Sequence, residues 1–125
     1  MTFVRVLIVM LVCAGLSACA SGSDDTVLDF FQSLDHGDTE KALGHFSPDL
    51  YQKFKPETLR GQAEHWTLTM QEHGGLKDVD LAGGVVTYNS LAYYTATLIF
   101  RDGKTRAIHV TLSYVGGVWY IEAAV

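Results

Sequence analysis

The chain holds five histidines, six tyrosines and two cysteines, the residue types that could move a proton, bind a metal or carry a covalent group. A helical metal pair needs a second ligand one turn away, at i and i+4. Glu64-His65 has no such companion, so His65 and His73 read as residues of an exposed helix face. His36 and His45 fall where helices should end, and a cation there meets the negative end of the helix dipole. His109 alternates with Thr105, Ala107, Thr111 and Ser113, the wetter face of a strand. Tyr94, Tyr114, Trp119, Trp66 and Met70 form an inward-facing group, the material of a core or of a pocket for a small apolar ligand. No inward carboxylate is evident in the strands, so proton transfer lacks a base. No metal or other cofactor is implied.

The cysteines point to different chemistry. Arg5 precedes an apolar run from Val6 to Leu16, the layout of a secretory signal, and that run is too short for the roughly 20 residues of a membrane-spanning helix. It ends in Leu16-Ser17-Ala18-Cys19, which resembles a bacterial lipobox. The resemblance implies a diacylglycerol on the Cys19 thiol, cleavage before Cys19 and a membrane held through lipid, since two or three acyl chains anchor far more firmly than one. Ala20 stands where an aspartate would signal inner-membrane retention, so in a Gram-negative host the expected place is the outer membrane, facing the periplasm. The expected organisation is a signal peptide over 1–18, a lipidated tether over 19–24 and one domain over 25–125.

Size and charge narrow the rest. Removing residues 1–18 from 125 leaves 107, enough for one domain with its own core. Cys13 leaves with the signal and Cys19 carries lipid, so no thiol remains for a disulfide, a metal or a nucleophile. Without Arg5, eight basic residues face 14 acidic ones, and nucleic acid is a poor partner for such a chain.

The elements follow from periodicity. Ser23 or Asp24 can cap a helix whose Val27, Phe30, Phe31 and Leu34 form one stripe before His36-Gly37. Asp38 opens a second helix through Phe46. Ser47-Pro48 starts a turn or two through Leu50, Tyr51 and Phe54. A longer helix runs from Pro56 or Glu57 to His73, with Leu59, Ala63, Trp66 and Met70 inward and Gly74-Gly75 as its stop. The period then changes to two, predicting an antiparallel sheet. A first strand runs from about Val79 to Tyr88, bulged at Gly83-Gly84, and turns near Asn89-Ser90. A three-residue Arg101-Asp102-Gly103 loop pairs Leu98 with Arg106, Ala96 with Ile108 and Tyr94 with Val110. A two-residue Gly116-Gly117 turn pairs Tyr114 with Trp119, Leu112 with Ile121 and Val110 with Ala123.

Helices first and a strongly curved antiparallel sheet after them make an α+β domain. The stretch VLDFFQSLDHGDTEKALGHFSPDL, a longer helix, and then LIFRDGKTRAIHVTLSYVGGVWYIEAAV resemble the small bacterial lipoproteins of the nuclear-transport-factor-2-like, cone-shaped fold. The resemblance implies that fold and no single activity, because the fold hosts isomerases, dehydratases and binding modules. Its enzymes place an Asp, His or Tyr inside the cone. The expectation is a non-catalytic, lipid-anchored domain that binds an envelope protein or a small apolar ligand. The alternatives are an isomerase- or dehydratase-like enzyme, pairing an inward Tyr with a helix-borne Asp or His, and a dimeric scaffold joined through Tyr93, Thr97 and Ile99 of the outer sheet face.

Overall fold

A computed structural model describes residues 22–125; the signal, Cys19 and the start of the tether lie outside the described residues. Four helices precede four strands: α1 (Gly22–Asp35), α2 (Thr39–Leu43), α3 (Pro48–Lys53), α4 (Pro56–Glu72), β1 (Leu76–Val86), β2 (Leu91–Phe100), β3 (Thr105–Val115) and β4 (Val118–Ala124). The strands form one antiparallel sheet in the order β1-β2-β3-β4. No described helix is long and apolar enough to cross a membrane.

The helix caps act as the sequence suggests, with one exception, but α2 stops at Leu43 rather than Phe46, which instead bridges to Ile121 of β4. Asp38 caps α2 by accepting from Lys41 N, and Ser47 caps α3 by accepting from Leu50 N. Ser23 and Asp24, by contrast, lie inside α1 and cap nothing; both side chains turn to Tyr94 instead. A buried tyrosine hydroxyl needs partners, and that need outweighs a local cap.

Val27, Phe30, Phe31 and Leu34 of α1 are fully buried, and Leu59, Ala63 and Met70 of α4 and Ala42 and Leu43 of α2 are buried with them. They pack on the concave face made by Tyr94, Ala96, Leu98 and Phe100 of β2 and Ile108, Val110 and Leu112 of β3. Ile121 of β4 completes this core. The concave interior is therefore filled at its base.

The β2–β3 register is the expected one, Leu98 facing Arg106, Ala96 facing Ile108 and Tyr94 facing Val110. β4 keeps register through Tyr114–Trp119 and Leu112–Ile121 and then slips, so that Val110 faces Ala124 rather than Ala123. The extra residue is Glu122, a bulge that bends the strand. Beside it, the segment before α3 pairs along the other edge of β4: Ile121 N donates to His45 O and Ser47 N to Ile121 O.

β1 starts earlier than expected, at Leu76, and slips twice, around Lys77 and around Gly84. The second slip is the bulge that Gly83-Gly84 suggests. Only glycine fits there: φ is +95° and +89°, and an added Cβ would come within 2.7 Å of Tyr93 O at residue 83 and 2.8 Å of the Tyr94 ring at residue 84.

Candidate functional site

The five residues of the inward aromatic group separate into three places. Met70 is fully buried in the core, and Tyr94 is nearly so. Tyr114 and Trp119 stand together at one end of the sheet, ring centroids 5.0 Å apart. Tyr114 has the parity of the concave face but is 46% exposed, because it lies beyond the part of the sheet that the helices cover. Trp66 is half-buried at the opposite flank, where α4 passes the sheet.

Trp66 belongs to an apolar groove of about 260 Å³ between α3, α4 and β4. Phe30 and Ile121 form its floor, and Phe46, Leu50, Phe54 and Leu59 rise beside it. Local structure explains the opening. Ser47 and Pro48 start a helix of only six residues, after which Phe54 turns into extended backbone and remains 49% exposed. Short α3 thus leaves the space between α4 and β4 uncovered. Arg106 lies over Trp66, its guanidinium 4.8 Å from the ring centroid.

The groove's chemistry is simple. Its one ionisable side chain is Glu122, whose carboxylate accepts from Ser113 Oγ at 2.6 Å, on the face opposite the core. Gln62 and Thr58 supply neutral polar groups at the rim. The surface suits an apolar body with a few hydrogen bonds at its edge.

The second candidate centres on Tyr94. Its hydroxyl donates to the Asp24 carboxylate, and Ser23 Oγ, 2.7 Å away, donates in turn to the tyrosine oxygen. This is a tyrosine with a helix-borne aspartate, the pairing that proton-transfer chemistry on this fold would use. Its setting argues otherwise. Burial first, and then the bond to Asp24, push the Tyr94 hydroxyl above the ordinary tyrosine range, so it holds its proton at neutral pH. Its O–H is already engaged in the hydrogen bond to Asp24, and the ring packs so closely on Gly84 that no added methyl would fit. The arrangement ties β2 to the first turn of α1.

No histidine lines the groove or bonds the Tyr94 hydroxyl. His65 and His109 are exposed. His45 Nε2 is 2.6 Å from Asp29 Oδ2, with Lys41 Nζ 3.1 Å from Oδ1. Burial pushes the Asp29 carboxyl up, but the hydrogen bonds from His45 and Lys41 outweigh it and hold the group below its ordinary value. His73 Nδ1 is 2.7 Å from Asp102 Oδ2 and stacks on Phe100. The Lys104 backbone N–H first, and His73 second, lower the Asp102 carboxyl. Both pairs join neighbouring elements.

Sequence reasoning missed Leu50 and Phe54 as groove walls, Arg106 as the cap on Trp66 and Asp24 as the partner of Tyr94. Two of these carried a signal. Arg106 shares the even parity of the concave face, and Asp24 precedes Val27 and Phe31 at i+3 and i+7, on the same helix stripe.

No family model matches the chain. No curated protein matches it. Among solved structures it is similar to a Campylobacter jejuni protein described as a "putative NTF2-like transpeptidase", with a TM-score of 0.70 at 17% identity, covering 82% of this chain and 99% of that one. The helices and curved four-stranded sheet are those of an NTF2-like α+β fold.

Proposed function

We propose that this chain is a lipid-anchored envelope protein whose NTF2-like domain binds and does not catalyse. Its ligand is an apolar group, carried by a partner protein or a small molecule, received in the groove beside Trp66. The observation that carries this reading is the groove's composition. Phenylalanine, leucine, isoleucine and tryptophan side chains line it, and its one side-chain carboxylate is engaged by Ser113. Leu16-Ser17-Ala18-Cys19 supports the anchor.

The name of the Campylobacter neighbour raises acyl transfer as a second reading. That chemistry needs a nucleophile with a base beside it. The described residues include no cysteine. Ser23 bonds Tyr94, Ser33 the Asp29 carbonyl and Ser113 Glu122, while Ser47 caps α3. None of these four bonds a histidine; Thr95 Oγ1, 3.4 Å from His109 Nδ1, does so on the exposed outer face of the sheet, away from the groove, so binding is the better supported function.

The groove is tested with residues 22–125, freed of detergent, and the neutral dye N-phenyl-1-naphthylamine. The account expects saturable, blue-shifted dye emission that Phe54→Glu abolishes and His109→Ala leaves intact. Dye binding indifferent to Phe54→Glu would overturn it.

A further inference from the structure

The first turn of α1 and two hairpin turns meet at one end of the domain. Gly22 and Ser23 of α1, Val86 and Ser90 beside the β1–β2 turn, and Gly117 and Val118 at the β3–β4 turn border one open cleft of about 610 Å³. Its surroundings are apolar and uncovered: Val85 is 72% exposed, Val86 54%, Tyr114 46%, Val115 49%, Val118 47%, and Tyr88 fully. A soluble domain rarely leaves so many large apolar side chains open at one place without a use for them. Lysine and arginine are missing from this end. All eight in the described residues lie on α2, α3, α4 and the segment before α4, at the start of β1, or around the β2–β3 loop. Asp24 and Asp25 are the charges nearby.

The chain itself indicates what covers this surface. Cys19 precedes Gly22 by three residues, a span of at most roughly 11 Å even when fully extended. We propose that this end of the domain seats in the headgroup region of the bilayer that holds the lipid of Cys19, with Tyr88 and Val118 reaching in; this rests on the lipid-anchor reading above. Tyrosine and tryptophan favour that interface because one end of the ring is apolar and the other polar, and Tyr88, Tyr114 and Trp119 supply three such rings. The acidic first turn and the lack of lysine and arginine suit neutral lipid. Contacts too weak to bind a membrane unaided suffice once the tether makes them intramolecular. The far end of the sheet, with Arg101 and Lys104, then faces away from the bilayer, and the groove beside Trp66 lies on the flank.

The test uses the full-length protein, processed and purified from membranes, with one added cysteine at the near end (Asn89→Cys) or the far end (Lys104→Cys). Each is labelled with an environment-sensitive maleimide and reconstituted into phosphatidylcholine vesicles containing brominated chains, and the acyl mass on the amino-terminal peptide is measured in the same samples. Seating predicts that the label at 89 is blue-shifted and loses most of its intensity, the label at 104 keeps its own, and Tyr88→Ser with Val118→Ser restores emission at 89. Acyl mass present with equal quenching at both positions, or quenching at 89 indifferent to the double substitution, overturns the seating and leaves the anchor standing. Absence of the acyl mass overturns the anchor and the seating together.

Discussion

The hydroxyl of Tyr94 on β2 donates to the carboxylate of Asp24 on α1, joining the middle of the sheet to the helix turn nearest Cys19. The pair is a latch. It holds the start of α1 against the concave face beside Val27, where the chain enters the domain.

Removing the latch should cost stability and leave the groove intact. A hydrogen bond to a charged group contributes about 1.5 to 3 kcal/mol, and Asp24 is exposed, so Tyr94→Phe should lower the unfolding free energy by about 1 kcal/mol in urea titrations. Dye binding beside Trp66 should not change. Loss of binding with an unchanged urea midpoint would instead make Tyr94 part of the ligand site.

Two glycines separate conformational cost from crowding. Gly103, with φ at +88°, has nothing within 4 Å of an added Cβ, whereas Gly84, at +89°, has the Tyr94 ring 2.8 Å away. Gly103→Ala should cost about 1 to 2 kcal/mol, the price of a left-handed non-glycine residue. Gly84→Ala should cost more by thermal or urea unfolding. Equal losses would contradict the tight seating of Tyr94 on the β1 bulge.

Acid should weaken the domain partly through Asp29. Its carboxyl is held below the ordinary value by His45 and Lys41 despite burial. A depressed folded-state pKa stabilises above the unfolded value, about 3.9 for aspartate, and that contribution is lost as pH falls through the folded value. Asp29 is about one-third exposed, so solvent screening keeps the effect small. Asp29→Asn should destabilise slightly at pH 7 and have progressively less effect below pH about 4. An effect that grows as pH falls would contradict the pairing.

The fold was legible wherever periodicity and turn chemistry agreed. The stripe Val27-Phe30-Phe31-Leu34, the Ser47-Pro48 start, the bulge glycines and the Arg101-Asp102-Gly103 loop each carry their geometry in residue type and spacing. The Glu122 bulge was not legible, because the segment that pairs with β4 there, His45 to Ser47, lies far back in the sequence. Parity alone could not show that Tyr114 runs past the helices, since exposure depends on where they stop. The aromatic group dispersed for a similar reason: facing the concave side does not mean facing one cavity. Trp66 is the member that lines the groove, and its neighbours Leu50 and Phe54 owe their exposure to the shortness of α3.

Binding without catalysis is tested most directly by complementation of a deletion strain with a scorable envelope phenotype. Each variant must first be shown folded and anchored. The account predicts that Phe54→Glu, which puts a charge in the groove, fails to complement. Asp24→Asn, His45→Ala, His73→Ala and His109→Ala should each restore the phenotype, whereas general acid–base catalysis would lose about a hundredfold or more with its base. A folded, anchored Asp24→Asn or single-histidine variant that fails to complement, while Phe54→Glu succeeds, would contradict the account and place the chemistry at a titratable group.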